Sequence, residues 1–128
     1  MINELCKQAH EAAVEKGFYE RKRDLPELLM LVVSELAEAM EAERKGQKIE
    51  GWMQDLAKAY TGEGNFASVD AYPLNFDHDL RGTIEEEIAD AFIRLFDICG
   101  YYGIDAEAWI TAKMKYNRLR PRMHGKKY

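Results

Sequence analysis

Apolar side chains recur at intervals of three and four residues along most of the chain, the spacing that gives a helix one buried face. In the first such stretch, Ile2, Leu5, Ala9 and Ala13 follow this spacing up to Gly17. No segment shows a convincing period of two, the pattern of a half-buried strand. The pattern therefore predicts four main helices: residues 2–16, 24–45, 83–99 and 105–120.

Capping residues stand at the predicted ends of these helices. Asp24 and Thr83 are each followed three residues later by a glutamate, Glu27 or Glu86, which is the order of a capping box. Pro121 ends the last helix. Glycines mark the predicted ends of the first three helices: Gly17, Gly46 and Gly100.

Residues 47–82 lack this periodicity. The segment Ile49–Tyr60 fits a short fifth helix, whereas residues 61–65 and 72–75 are rich in turn-forming residues. A long stretch of this kind within a compact protein is either functional or inserted. We therefore interpret 47–82 as an insertion into an otherwise regular helical protein.

The chain length and the order of the elements indicate the fold. A chain of 128 residues is expected to form a single domain, spanning residues 1–128. Helices joined by short links pack antiparallel. We expect an all-α protein, an antiparallel bundle of four to five helices.

The second predicted helix places two acids where apolar residues are expected. At about 100° per residue, Glu35 and Glu38 fall on the same side as Leu31 and Ala42, within about 60°. Bare carboxylates on such a stripe would repel one another and lose hydration. A divalent cation would remove the repulsion and complete its own coordination with their oxygens.

The third predicted helix repeats the arrangement with Glu87 and Asp90, one turn apart at the edge of its apolar stripe. If the two helices pack antiparallel, all four carboxylates converge. Oxygen ligands without a neighbouring His or Cys favour Mg²⁺, with Mn²⁺ as a substitute, over zinc. We interpret Glu85 and Glu86 as cap and surface residues.

Charge is distributed unevenly along the chain. The net charge is −5, yet residues 111–128 contain seven Lys or Arg and no acid. An acidic body with a basic terminal stretch suits a small phosphorylated ligand held between a metal and cations. Binding to duplex nucleic acid is less plausible, because the acidic body would repel phosphates.

Other features narrow the class of protein. The longest apolar run, residues 28–33, is far too short to span a bilayer, and the first residues lack the pattern of a signal peptide. Cys6 and Cys99 are expected to be free, packed thiols in a reducing cytoplasm. No phosphate-binding Gly-x-x-x-x-Gly-Lys-Ser/Thr loop is present. The three histidines do not form a catalytic or metal-binding pattern.

With these residues in place, the chain resembles the MazG-like branch of the all-α nucleoside triphosphate pyrophosphohydrolases. That family has Glu-x-x-Glu, a spacer, and then Glu-x-x-Asp. Residues 34–39 read Ser-Glu-Leu-Ala-Glu-Ala, and residues 86–91 read Glu-Glu-Ile-Ala-Asp-Ala. The segments 113–121 and 124–127 also look like the end of the small, single-domain members. The 48-residue spacer, 39–86, is long for the family.

The resemblance implies an enzyme that hydrolyses a (deoxy)nucleoside triphosphate to the monophosphate and pyrophosphate. It implies magnesium held by four carboxylates that also serve in catalysis: Glu35, Glu38, Glu87 and Asp90. It also implies a helical core completed by dimerisation, so that a homodimer or homotetramer is expected.

Cations on the last predicted helix are candidates for binding the substrate. Lys113, Asn117 and Arg120 are spaced i, i+4 and i+7, on one face, and Arg118 lies about 100° from Asn117. The simpler alternative is a solvated, cationic helix end, which also interacts favourably with the helix dipole. The alternative function is a non-catalytic helical adaptor whose basic tail binds nucleic acid or protein.

Overall fold

The computed structural model describes residues 1–61 and 72–127, and within these the side chains of residues 72–75 are not described. All regular structure in the described residues is helical, and none of them is in a strand. The predicted all-α class is confirmed. The helices are α1 (Ile2–Glu15), α2 (Leu25–Arg44), α3 (Gly51–Ala59), α4 (Tyr72–Asp79), α5 (Ile84–Tyr102) and α6 (Ala106–Leu119), followed by a short 3₁₀ turn, Arg122–Gly125.

The ends of α1, α2 and α6 agree with the sequence prediction to within one or two residues. Gly17 and Gly46 follow α1 and α2 with φ of +83° and +84°. Only glycine adopts this left-handed conformation without steric cost, so these two residues end their helices. The predicted short helix between Ile49 and Tyr60 is confirmed as α3.

The predicted caps form, although the glutamates of the two capping boxes behave differently. Asp24 Oδ1 accepts a hydrogen bond from the Glu27 N–H at 3.0 Å, but the Glu27 carboxylate bonds Arg21 and Arg23 instead of returning to Asp24. Thr83 Oγ1 accepts from the Glu86 N–H at 3.2 Å. The Glu86 carboxylate in turn accepts from the Gly82 N–H at 2.8 Å, one residue before the cap.

The prediction of a turn at residues 72–75 is wrong, because these residues form the first half of α4. Pro73 is the second residue of that helix. Proline lacks an N–H, but the first N–H groups of a helix have no partner within it, so proline is tolerated in the first turn. The turn predicted at residues 61–65 lies, beyond Thr61, outside the described residues.

The prediction that α5 ends at Gly100 is also wrong. The helix continues to Tyr102, and Gly103, with φ of +64°, follows its end. Gly100 serves packing instead. A Cβ atom at this position would lie 2.5 Å from the Cys6 carbonyl oxygen and 2.7 Å from the His10 Cβ. The missing side chain therefore lets α1 and α5 come into direct contact.

The chain divides into two compact units. Unit 1 comprises residues 1–28 and 93–128, and unit 2 comprises residues 29–92. In unit 1, α1 packs on α6, and the buried apolar side chains are Cys6, Leu28, Ile98 and Ala106. In unit 2 the buried apolar side chains are Val32, Ala42, Tyr60, Leu80, Ile84 and Ala91. The single domain expected from the chain length stays a prediction.

A polar network lies within unit 1. Asp97, on α5, accepts a hydrogen bond from the Tyr19 hydroxyl at 2.8 Å and lies 2.8 Å from His10 Nδ1. The Tyr19 and Tyr101 rings stack with centroids 4.9 Å apart. Because Asp97 is bonded on both carboxylate oxygens, its partial burial is compensated.

Among the described residues, none of the helices combines the length and the apolar character needed to cross a bilayer.

Candidate metal centre

Two acidic residues of α2 lie on a helix that contributes to the interior of unit 2. Glu35 is buried, with 6% of its surface exposed, between the buried residues Val32 and Ala42. Glu38 lies one turn later and is exposed. The pair therefore runs from the interior to the surface along one side of the helix.

The first turns of α5 supply the second acidic pair. Thr83 caps the helix, which fixes the position of the residues in its first turn. Glu87 follows with 8% of its surface exposed, and Asp90 lies one turn later, half-buried. Carboxylates near a helix N-terminus are stabilised by the partial positive charge of its free N–H groups.

The structure brings these residues together within unit 2. One carboxylate oxygen each from Glu35, Glu38 and Glu87 lie within 4.8 Å of one another. Carboxylate oxygens of Glu86, Glu87 and Asp90 form a second group that meets the same limit. Glu87 belongs to both groups, so five acids from two helices form one continuous cluster, which we call the carboxylate cluster.

Electrostatic repulsion acts within this cluster. Burial raises the pKa of Glu87 above its ordinary value, and the neighbouring carboxylates raise it further. These neighbours are, in order of decreasing effect, Glu86, Glu38, Asp90 and Glu35. Negative charge on Glu87 is therefore unfavourable in the protein alone, and a bound cation would relieve this.

The chemistry of the cluster fits a hard divalent cation. All of its ligand atoms are carboxylate oxygens, which are preferred by Mg²⁺, Mn²⁺ and Ca²⁺. Zinc sites usually include His or Cys, and neither occurs in the two groups. The separation of the oxygens allows several of them to contact one ion, since ligand atoms on opposite sides of a Mg²⁺ ion lie about 4 Å apart.

The sequence predicts that Glu86 is a cap or surface residue and not a metal ligand. The structure gives it both positions, because its carboxylate accepts from Gly82 and also contributes an oxygen to the cluster. Glu86 and Asp90 are four residues apart, the spacing at which side chains on a helix are neighbours. That spacing is the signal that could have identified Glu86.

The acids outside the cluster lie elsewhere. Glu41 and Glu43 are exposed on α2, as expected for residues off the apolar stripe. Glu41 pairs on the surface with Arg44 and Lys45 at 3.8 and 3.9 Å. Glu85 accepts a hydrogen bond from the Glu50 N–H at 2.8 Å. These residues provide matched controls for substitutions in the cluster.

The predicted substrate-binding residues lie on and just after α6, in unit 1. Lys113 Nζ lies 4.6 Å from the centre of the Tyr116 ring, and the guanidinium carbon of Arg120 lies 5.7 Å from it. Arg118 is exposed. The Oδ1 atom of Asn117 is buried and has no hydrogen-bond partner, the only such side-chain atom found in the part of the chain that the structure describes. A buried polar atom of this kind calls for a donor that the described residues do not provide.

The chain matches no protein-family model, and no curated protein or solved structure is significantly similar to it.

Proposed function

We propose that this protein is a magnesium-dependent nucleoside triphosphate pyrophosphohydrolase of the MazG-like type, producing a nucleoside monophosphate and pyrophosphate. The observation that carries the proposal is the carboxylate cluster. Glu35 and Glu38 are separated from Glu87 by about fifty residues of chain, yet their oxygens lie within 4.8 Å. Carboxylates at this distance repel one another, and a bound cation would offset that repulsion, which supports metal binding as the role of the cluster.

In this proposal Glu35, Glu38, Glu87 and Asp90 hold Mg²⁺, and Mn²⁺ is able to replace it. The metal supplies charge neutralisation for the phosphates and for the leaving pyrophosphate. A cluster carboxylate that is not bound to the metal accepts the proton of the attacking water. Glu86 holds the Gly82 N–H and so keeps the start of α5 in place.

The residues on and after α6 bind the substrate in this proposal. Lys113 and Arg120 neutralise phosphate oxygens, and Asn117 binds the sugar or a phosphate. Arg118 is the fourth predicted contact. The cations next to Tyr116 are fixed partly by their contacts with its ring, which reduces the conformational entropy lost when they bind an anion.

The homo-oligomer is the third part of the proposal. Four apolar side chains of α2 are spaced i, i+4, i+7 and i+11 and are between 45% and 57% exposed: Leu29, Val33, Leu36 and Met40. They form a stripe about 170° around the helix from Glu38. A second copy of the chain that covers this stripe would bury apolar surface while leaving the Glu38 side of the helix free.

The activity is tested by measuring pyrophosphate release from a panel of common and modified nucleoside triphosphates with Mg²⁺ or Mn²⁺. Phosphorus NMR separates monophosphate plus pyrophosphate from diphosphate plus phosphate. We expect Glu38→Gln to lower the rate roughly 100-fold or more, since a metal ligand is lost. Glu41→Gln, three residues later on the same helix and also exposed, is the control and should change the rate less than about twofold.

Two results would overturn the assignment. Absence of pyrophosphate from every nucleotide, with either metal, would favour the adaptor function. A loss of folding in Glu38→Gln, seen by circular dichroism, would show that this acid is structural.

The oligomer is tested by size-exclusion chromatography with light scattering at micromolar concentration. We expect a homodimer or homotetramer, and we expect Leu36→Glu to produce a monomer because it places a charge in the apolar stripe. Gln54→Glu, at an exposed position of α3, should leave the mass unchanged. A wild-type monomer would refute this part of the proposal alone.

A further inference from the structure

The two cysteines of the chain meet inside unit 1. Cys6, on α1, is buried, with 3% of its surface exposed, and Cys99, on α5, is only partly buried. Both side chains line one cavity, and Cys99 is close enough to add to the effect of burial in raising the pKa of the Cys6 thiol. They are the only cysteines in the sequence. Two residues separated by most of the chain are therefore adjacent in the fold.

The contact of α1 with α5 explains this proximity. Next to Cys99 stands Gly100, where a Cβ atom would lie 2.5 Å from the Cys6 carbonyl oxygen. The two helix backbones therefore approach as closely as glycine permits, at the turn that carries both thiols. A disulfide requires Cα atoms within about 7 Å, and close backbone contact of this kind is the condition that most residue pairs fail to meet.

A cavity gives access to the pair. Its volume is about 290 Å³, and both cysteines line it, together with Lys7, His10 and Glu11. It is large enough to admit a small oxidant. Since Cys99 is the more exposed of the two thiols, the oxidant would reach it first.

We infer that Cys6 and Cys99 form a redox modification site, at which a hydroperoxide converts the two thiols to an intramolecular disulfide between α1 and α5. This inference is independent of the proposed hydrolase activity. Burial and the neighbouring Cys99 raise the pKa of the Cys6 thiol, which favours its protonated form and makes Cys99 the thiol that the oxidant attacks first.

The chemistry proceeds in two balanced steps. The Cys99 sulfur attacks one peroxide oxygen, the O–O bond breaks, and with hydrogen peroxide one water leaves, so that Cys99 becomes a sulfenic acid. The Cys6 sulfur then attacks the Cys99 sulfur, the S–O bond breaks, and the hydroxyl leaves as a second water with the Cys6 proton. In total, two thiols are oxidised and one hydrogen peroxide is reduced to two waters. A dithiol reductant reverses the modification by thiol–disulfide exchange.

The test uses the full chain treated with a small excess of hydrogen peroxide. We expect loss of both titratable thiols and a mass lower by two hydrogen atoms. A non-reducing denaturing gel should show a single chain, without cross-links between chains. Trypsin should release a linked pair of peptides, residues 1–7 and 95–113, which dithiothreitol separates. Because the cross-link closes a loop of most of the chain, Tm should rise by roughly 5 °C or more on oxidation.

Single substitutions separate the roles of the two thiols. In Cys6→Ala, Cys99 should accumulate as a sulfenic acid that dimedone traps. In Cys99→Ala, the buried Cys6 should stay reduced under the same conditions. The peptide map of the wild type decides the question even if either variant fails to fold. Chains cross-linked to one another, or a wild type in which Cys99 proceeds to sulfinic acid while Cys6 stays free, would overturn the inference.

Discussion

Asp97 in unit 1 and Glu87 in unit 2 lie on the same helix, α5, and both are shielded from water, but their surroundings are opposite. Asp97 is bonded by Tyr19 and lies against His10, each at 2.8 Å. Burial and Asp97 raise the pKa of Tyr19, so its hydroxyl stays protonated and remains a donor. Burial raises the pKa of Glu87, and the charges that raise it further are those of four other carboxylates.

The difference separates two reasons for placing a carboxylate in the interior. A carboxylate that holds the fold together is provided with donors from neighbouring elements, as Asp97 is. A carboxylate surrounded by others destabilises the protein by itself and needs a ligand to offset the repulsion. Glu87 matches the second description, which is the physical basis for treating its cluster as functional.

The largest expected effect comes from separating α1 from α5. Gly100→Ala would place a Cβ atom 2.5 Å from the Cys6 carbonyl oxygen and 2.7 Å from the His10 Cβ, so α1 and α5 would have to move apart. We expect the free energy of unfolding to fall by about 3 kcal/mol, measured by urea denaturation. Gly51→Ala, at a helical position with nothing within 4 Å, is the control and should be neutral or slightly stabilising. A tolerated Gly100→Ala would mean that this contact is looser than the structure shows.

The next effect tests whether Asp97 is structural. Asp97→Ala leaves the Tyr19 hydroxyl and His10 Nδ1 without their partner in a half-buried site. We expect a loss of about 2 kcal/mol in the free energy of unfolding. Asp55→Ala, which removes an exposed acid paired with Lys58 at 3.7 Å, should change it by less than about 0.5 kcal/mol. If the two substitutions had equal effects, Asp97 would not be a carboxylate that stabilises the fold.

The same two regions show how much of the fold and of the candidate site the sequence predicts. Helical periodicity and caps such as Asp24 and Thr83 are local, so the main helices could be predicted from neighbouring residues. The sequence also predicts that the acidic pairs containing Glu35 and Glu87 converge, because acids on or beside an apolar stripe are unusual whatever the helix packs against. The bonding of His10 and Tyr19 to Asp97 joins residues about eighty positions apart, and no local pattern indicates it.

The incorrect predictions have a related cause, since they concern residues that serve two purposes. Gly100 has the appearance of a helix end but is a packing contact, and a sequence does not show which neighbour approaches a glycine. Pro73 suggests a turn but also fits the start of a helix. Glu86 is both a cap and a member of the carboxylate cluster, and the first role concealed the second.

Substituting Glu87 should change the free energy of unfolding in the opposite direction to substituting Asp97. With a chelator present, Glu87→Gln removes a charge that its neighbours repel, so we expect the free energy of unfolding to rise by roughly 0.5–1 kcal/mol. Adding millimolar Mg²⁺ should raise the Tm of the wild type and have much less effect on the variant, because a ligand stabilises only a protein that binds it. Glu43→Gln, an exposed position on α2, should leave both measurements unchanged. A destabilised Glu87→Gln with an unaltered response to Mg²⁺ would show that Glu87, like Asp97, is structural.

The smallest effect concerns Asp105, a third carboxylate, which is exposed and well supplied with donors. Asn3 Nδ2 and the Ala108 N–H both bond its Oδ1, at 2.9 and 3.0 Å, and these bonds hold the pKa of Asp105 below its ordinary value. The folded protein therefore retains the charge at a pH where the unfolded chain takes up a proton. The resulting stabilisation is present above the ordinary aspartate pKa of about 3.9 and is lost as pH falls through the lowered value. Asparagine also caps helices, so Asp105→Asn should leave stability near neutral pH almost unchanged.

We therefore expect Asp105→Asn to change how steeply stability depends on pH, and not the stability near neutral pH. Between pH 5 and pH 2, as an approximate range set by the ordinary pKa of aspartate, the wild type should lose stability more steeply than Asp105→Asn, as followed by thermal melts in chelator. Asp77→Asn is the comparison, because Asp77 is an exposed acid whose bond to Arg81 is a surface pair at 3.6 Å. Asp77→Asn should lose stability with falling pH almost as steeply as the wild type. If both variants reduce the dependence of stability on pH equally, the hydrogen bonds to Asp105 do not persist in solution. Hydrogen-bond donors would then stabilise a carboxylate in this protein only where water is excluded, as at Asp97.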